Sequence, residues 1–209
     1  MTARKLAVVS AGLSQPSSTR LLADRLAQAT VAALEADGIE VEVTTVELRD
    51  FAQDVTNNLL TGFPSPRLES AVEKVAGADG LIAVTPIFTT SYSGLFKSFI
   101  DVLDPQALTA LPVLLGATGG TERHSLAIDY AMRPLFAYLH AIAVPTGVYA
   151  ASSDWGTAAD ASTGSLPERI DRAASELASL VAASDRSARV RDPFALPEGF
   201  SPVGSFGAQ

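Results

Sequence analysis

The residues best suited to chemistry form a run of hydroxyl side chains, SAGLSQPSSTR, at 10–20. The run lies between an apolar segment typical of a buried strand and an amphipathic segment typical of a helix. Free amides and the helix dipole favour an anion at a helix N-terminus, and hydroxyls add donors without adding charge. The run predicts a phosphate site; the alternative is that Ser17 or Ser18 only caps the helix. The candidate contacts are Ser10, Leu13, Ser14, Gln15, Ser17, Ser18 and Thr19.

The common nucleotide-binding fingerprints are absent from this run. It contains neither GxGxxG nor GxxxxGK[ST], so a dinucleotide fingerprint and an NTP-hydrolysing phosphate loop are not supported. Gly12 allows a ligand to approach the backbone closely. Arg20 follows the hydroxyls and could either supply a cation or point to solvent.

A second polar loop begins at the sequence TPIFTTSYS, residues 85–93. Its backbone amides could reach the edge of a planar ring, and Phe88 and Tyr92 could flank such a ring. Both aromatic side chains could equally belong to the core or to a subunit interface. The candidate contacts in this loop are Pro86, Ile87, Phe88, Thr89 and Ser91.

A third loop, ATGGTERH at 117–124, has two adjacent glycines directly after a buried strand. Adjacent glycines are costly unless the backbone turns sharply or comes close to another group. The two interpretations are therefore a close approach to a flat ligand and a tight strand-to-helix turn, and His124 could contact ligand or cap a helix. The candidate contacts are Thr118, Gly119, Gly120, Thr121 and His124.

The elements that must position these loops alternate along the chain. Apolar runs predict strands at 5–10, 39–48, 80–86, 111–118 and 141–150. Helical periodicity predicts helices at 19–35, 67–79, 93–104, 125–141 and 166–183. Residues 49–65 are polar, are followed by Pro66, and are expected to form a loop.

This alternation predicts an α/β fold with a parallel sheet covered by helices on both faces. Five strands fit a flavodoxin-like three-layer sandwich of order 2-1-3-4-5, with ligands bound past the carboxyl ends of the strands. The strand at 39–48 alternates apolar and polar residues, which indicates a sheet edge. Residues 1–185 are expected to form the domain, and 186–209 an extended tail.

Composition narrows the function further. The chain has 209 residues and a formal net charge of −8, so nucleic acid and anionic membranes are not expected as partners. It contains no cysteine and only two histidines, which excludes disulfides and thiolate metal sites and disfavours a histidine metal cluster. No signal peptide or membrane-spanning run is found, so a cytoplasmic location is expected.

Together the three loops resemble the NADPH-dependent FMN reductase family, over about residues 4–183. The serine-rich first loop matches the family's phosphate motif, although it lacks the arginine that many relatives carry there. In the second loop Phe88 stands where tyrosine is common and Phe96 where leucine is common. The matching positions beyond the first loop are Pro86, Ser91, Gly94, Lys97, Thr118, Gly119, Gly120, Thr121 and His124.

The resemblance implies an oxidoreductase that binds FMN and accepts hydride from NADPH or NADH. No catalytic side chain is implied, since the flavin carries the chemistry. It further implies a homodimer or homotetramer, and reduced flavin supplied to a flavin-dependent monooxygenase. The alternatives are a quinone, azo or metal-ion reductase on the same scaffold, a flavodoxin-type electron carrier, and a flavin-free relative.

Overall fold

The computed structural model describes residues 3–155 and 165–184, together with Arg186. Its strands are β1 (Arg4–Ser10), β2 (Val41–Glu47), β3 (Gly80–Phe88), β4 (Ser91–Tyr92), β5 (Pro112–Gly119), β6 (Ile142–Ala143) and β7 (Val148–Ala151). The main path of the sheet is β2-β1-β3-β5-β6, and all of its pairings are parallel. β2 is an edge strand, as its alternating sequence predicts.

Helices cover both faces of this sheet. They are α1 (Ser18–Ala36), α2 (Ala52–Thr61), α3 (Pro66–Ala76), α4 (Gly94–Asp101), α5 (Arg133–Tyr138) and α6 (Leu166–Ala183). Leu26 of α1 and Leu177 of α6 belong to one buried cluster, and Val75 of α3 and Phe99 of α4 belong to the other. Two cores separated by a parallel sheet confirm the predicted flavodoxin-like three-layer sandwich.

The number of strands differs from the predicted five, because the described sheet has seven. The segment predicted as one strand at 141–150 forms β6 and β7, both paired with β5. Pro145 has no amide hydrogen to donate between strands. The Arg133 guanidinium donates hydrogen bonds to the carbonyls of Val144 at 2.8 Å and Pro145 at 2.9 Å. The remaining extra strand is β4, which pairs antiparallel with the end of β3.

The prediction of a loop at 49–65 is wrong. A 3-10 turn at Leu48–Phe51 leads into α2, which ends at Gly62 with φ +79°. The fully buried Val55 anchors α2 to the core, while Gln53, Thr56, Asn57 and Thr61 are exposed. Tertiary burial of one apolar position outweighs the weak helix propensity of this segment. Pro66 begins α3 rather than extending a loop.

The helix predicted at 125–141 is interrupted. A 3-10 turn at Glu122–His124 is followed by a π-helical turn at Ile128–Met132, and α5 begins only at Arg133. Pro134 has no amide to donate to the preceding turn, so the regular helix restarts around it.

The prediction that Pro86 ends its strand is also wrong, because β3 continues to Phe88. The carbonyl of Val84 faces β1, where it accepts from the amide of Ala11 at 2.9 Å. The side of Pro86 that lacks an amide therefore also faces β1, and β1 has already ended at Ser10. On its other side Pro86 pairs with Thr118 of β5, so the proline costs the ladder nothing.

The predicted tail, 186–209, lies outside the described residues except for Arg186, so the division into a domain and a tail stays a prediction. The Arg186 guanidinium donates to the carbonyls of Ala78 at 2.8 Å and Thr109 at 3.1 Å. These carbonyls precede β3 and β5, at the amino edge of the sheet.

In the described part of the chain, no helix is long and apolar enough to cross a membrane.

Candidate functional site

The three predicted loops meet at one edge of the sheet. The register aligns Ser10 of β1 with Val84 of β3, and Val84 with Gly116 of β5. Because these strands are parallel and adjacent, the loops that follow them leave the sheet at the same carboxyl edge. The Thr19 and Thr118 hydroxyl oxygens, 2.8 Å apart, join the first loop's helix directly to the third loop.

The first loop turns tightly into α1. The Ser17 hydroxyl accepts a hydrogen bond from the Arg20 amide at 3.2 Å, so the capping interpretation is confirmed for Ser17. A Cβ on Gly12 would come within 2.0 Å of Ser17 Oγ, so a larger residue there would displace the hydroxyl that caps α1. Pro16 has no amide hydrogen, and in the described part of the chain none of the other backbone amides from Gly12 to Thr19 donates a hydrogen bond. These donors remain available to a ligand.

Ser10 provides an unusual feature at the start of this loop. Its side chain is 1% exposed, and among the described residues Oγ has no hydrogen-bond partner. Leaving a buried hydroxyl unpaired is costly. By contrast Leu13, Ser14, Gln15 and Ser18 are exposed.

Arg20 does not point freely to solvent. Its guanidinium donates to Asp24 at 2.7 Å and also pairs with Glu47 at the end of β2. The hydrogen bond to Asp24 raises the pKa of the guanidinium, with a smaller contribution from Glu47, while burial opposes them. The charge of Arg20 is therefore committed to carboxylates, and an anion at α1 would meet mainly neutral donors.

The second loop is a β-hairpin rather than an open loop. Ile87 and Phe88 pair with Tyr92 and Ser91, which leaves Thr89 and Thr90 as the turn. These two threonines have φ +49° and +69°. Two β-branched residues in the left-handed region store backbone strain, on the order of 1–3 kcal/mol each.

Buried hydrogen bonds hold the hairpin at its base. The Thr85 hydroxyl donates to the Pro86 carbonyl at 3.0 Å and accepts from the Ser93 amide at 3.0 Å. The Ser93 hydroxyl in turn caps α4. The loop thus leaves Phe88 49% exposed at the carboxyl edge, whereas Tyr92 packs 6.0 Å from Phe96. The core alternative therefore holds for Tyr92 and not for Phe88.

The two glycines of the third loop serve different purposes. A Cβ on Gly119 would come within 2.0 Å of the Tyr149 hydroxyl oxygen, so this glycine is required by packing. A Cβ on Gly120 would meet nothing within 4 Å in the described structure. Beyond Gly120, Thr121 and His124 are exposed. The turn interpretation thus explains Gly119, and the open surface at Gly120 is what close approach to a ligand requires.

Tyr149 of β7 is a site-shaping residue that the sequence analysis missed. Its hydroxyl donates to the carbonyl of Thr121 at 2.8 Å and so fixes the turn after Gly120. Burial raises the pKa of Tyr149, and the charges of Glu122 and Asp154 add to the effect. The signal in the sequence was weak: an aromatic residue near the end of a strand that leads to the same edge.

A doubly covered parallel sheet with free amides at the carboxyl edge defines a flavodoxin-like α/β protein. The family model for NADPH-dependent FMN reductase matches residues 4–156. The chain belongs to the NADPH-dependent FMN reductase family.

Individual relatives agree with this assignment. The chain is 38% identical to an FMN reductase (NADPH) of Pseudomonas aeruginosa over 151 residues, 72% of this chain and 78% of that one. It is 37% identical to the NADH-dependent FMN reductase SfnF of Pseudomonas fluorescens, with the same coverage. An oxidoreductase crystal structure from Corynebacterium diphtheriae superposes with a TM-score of 0.84 at 45% identity, covering 88% of this chain and all of the other.

These comparisons confirm the predicted resemblance. At the level of the family they also confirm an oxidoreductase that acts on flavin, with FMN and NADPH or NADH as cofactors. Which side chains of this protein hold FMN stays a prediction.

Proposed function

We propose that the protein is an NAD(P)H-dependent FMN reductase whose carboxyl edge holds FMN, with the phosphate at the N-terminus of α1. The observation that carries this proposal is that the non-proline amides from Gly12 to Thr19, and the nearby Ser10 hydroxyl, have no hydrogen-bond partner among the described residues. Neutral donors at a helix N-terminus suit a phosphate. The proposed contacts are Ser10, Leu13, Ser14, Gln15, Ser17, Ser18, Thr19, Pro86, Ile87, Phe88, Thr89, Ser91, Thr118, Gly119, Gly120, Thr121 and His124.

The second and third loops are proposed to hold the flavin ring. The exposed face of Phe88 offers a flat apolar contact, and the open surface at Gly120 lets the ring edge approach the backbone. The amides of the turn that Tyr149 fixes would stabilise negative charge on the ring edge, as donors do in an oxyanion hole. When bound, FMN supplies the chemistry by accepting hydride from the nicotinamide at N5. The protein positions the two rings and contributes no acid or base.

The central experiment is an anaerobic titration of the protein with FMN present. NADPH and NADH are added in separate experiments, and the flavin absorbance is followed. Loss of the oxidised flavin band, with turnover that requires the protein, is the expected result. An electron carrier would bind FMN but give almost no steady NAD(P)H oxidation, which would contradict the proposal. Both nucleotides must be tested, because the relatives' names include NADPH in one case and NADH in another.

The physiological acceptor and the assembly are proposed in the same terms. Reduced flavin would pass to a flavin-dependent monooxygenase, which a coupled assay with a purified oxygenase of that class would detect. A homodimer or homotetramer would cover the exposed side chains of Leu126, Tyr130 and Tyr138. Light scattering of the purified protein tests this assembly, and a monomeric mass would contradict it.

A further inference from the structure

The buried contact between Thr19 and Thr118 leaves one hydroxyl hydrogen unaccounted for. The two side chains are 3% and 4% exposed, and their oxygens lie 2.8 Å apart. Each hydroxyl carries one hydrogen, and either oxygen could be the donor in this contact. Among the described residues, neither hydroxyl has a second partner. Whichever hydroxyl accepts must therefore direct its own hydrogen elsewhere.

The surroundings of Thr19 indicate where that hydrogen goes. Thr19 is the second residue of α1 and follows Ser18, whose amide is free in the described structure, and the Ser10 hydroxyl, unpaired among the described residues, lies at the adjoining strand end. An anion bound there would accept from Thr19. This is possible only when Thr118 is the donor within the pair, because Thr19 has a single hydrogen. A bound phosphate would thus select one of the two arrangements.

We propose that Thr118 is a positioning residue for phosphate recognition: its hydroxyl donates to Thr19 and thereby fixes Thr19 as a donor to the 5′-phosphate of FMN. The inference rests on the proposed function. It assigns Thr118 an indirect role at the phosphate, besides the ring contact suggested by its place before the two glycines. The second helix residue and the third loop then act as one recognition unit.

The test compares the affinities for FMN and riboflavin, which differ only in the phosphate, by quenching of flavin fluorescence on the full chain. Thr118→Val removes the hydroxyl at constant shape, and Thr118→Ser retains it. We expect Thr118→Val to weaken FMN binding about ten-fold, the effect of one hydrogen bond to a charged group. Riboflavin affinity should change less than about two-fold, and Thr118→Ser should restore FMN binding.

The reciprocal variant Thr19→Val supplies a second, independent arm. We call the chain of hydrogen bonds from Thr118 through Thr19 to the phosphate the relay. In a Thr19→Val background, adding Thr118→Val should cause little further loss of FMN affinity, because the relay is already broken. Thr30→Val is the matched control for losing a buried hydroxyl from α1, since Thr30 donates only to the Leu26 carbonyl at 2.8 Å. It should leave the ratio of FMN to riboflavin affinity unchanged.

The outcomes separate the two proposals. If Thr118→Val weakens FMN and riboflavin equally, or keeps its full effect in the Thr19→Val background, the relay is overturned and the proposed function stands. If the two hydroxyls only satisfy each other, both single variants leave the FMN-to-riboflavin ratio unchanged, which also overturns the relay. If the unaltered protein binds neither flavin, both proposals fail. Should Thr118→Val not fold, the ratio measured for Thr19→Val against Thr19→Ser decides whether that hydroxyl reads the phosphate.

Discussion

The hydroxyl of Tyr149 lies directly beneath Gly119, where a Cβ would come within 2.0 Å of the oxygen. The same hydroxyl donates to the Thr121 carbonyl. One side chain from β7 thus both requires a glycine and sets the direction of the turn that follows it. Since Gly120 has open space instead, the adjacent glycines form a matched pair for mutagenesis.

Gly119→Ala is expected to destabilise the fold, because the new methyl group displaces Tyr149 and breaks its hydrogen bond. The expected loss is about 1–3 kcal/mol, typical of overpacking. Gly120→Ala should change the free energy of unfolding by less than about 0.5 kcal/mol, as an exposed substitution does, yet weaken FMN binding. Chemical denaturation and flavin titration check both variants. Unchanged FMN affinity in Gly120→Ala would show that the flavin ring does not bind against this turn.

Tyr149→Phe is expected to lower stability by about 1 kcal/mol through loss of the hydrogen bond to Thr121. The difference should depend on pH. Burial raises the pKa of Tyr149 in the folded protein, so the unfolded tyrosine ionises first, near its ordinary value of about 10. The stabilisation from Tyr149 is therefore fully present below pH 10 and is lost as pH rises through the folded pKa.

Denaturation of the unaltered protein and Tyr149→Phe between pH 7 and 11 measures this dependence. The difference in their free energies of unfolding should be constant up to about pH 9 and should become smaller above about pH 10. A difference that grows at high pH would mean that Tyr149 is ionised in the folded protein.

Ser10→Ala should leave the flavin-free protein at least as stable as before, because the buried hydroxyl has no hydrogen-bond partner among the described residues. FMN affinity should fall, since that hydroxyl is a proposed donor to the ligand. Thr85→Val is the control, because the Thr85 hydroxyl is equally buried but bonded to Pro86 and Ser93. It should cost about 1–3 kcal/mol. A comparable loss in Ser10→Ala without flavin would show that Ser10 has a structural partner.

Glu47→Gln is expected to strengthen FMN binding a few-fold at low salt, because it removes a negative charge and releases part of the Arg20 charge for the phosphate. The effect should shrink as ionic strength rises, since the ion pair is partly exposed. Asp24→Asn tests the other partner of Arg20 in the same way. Flavin titrations at two salt concentrations provide the measurement, and riboflavin, which lacks the phosphate, should respond to neither substitution.

The sequence predicted the layers, the central strand order and the three loops, because these depend on apolar periodicity and on turn residues. It did not predict α2, because this helix is mostly polar and Val55 is its one fully buried residue in the described structure. It also did not predict that the strand is interrupted at Pro145, since this depends on hydrogen bonds that the guanidinium of Arg133 donates to the carbonyls of Val144 and Pro145. Within the site, Ser17 and Gly12 were recognisable from local chemistry. The contributions of Tyr149 and of the Thr19 contact depend on strands brought together only by folding.

The bond between Thr19 and Thr118 spans 99 positions of the chain. A nascent polypeptide that has completed β1 and α1 carries every residue of the hydroxyl run but lacks the threonine that orients one of them. The affinity for the phosphate should therefore reach its full value only after β5 has joined the sheet. Flavin uptake would then report assembly of the whole central sheet rather than formation of one turn.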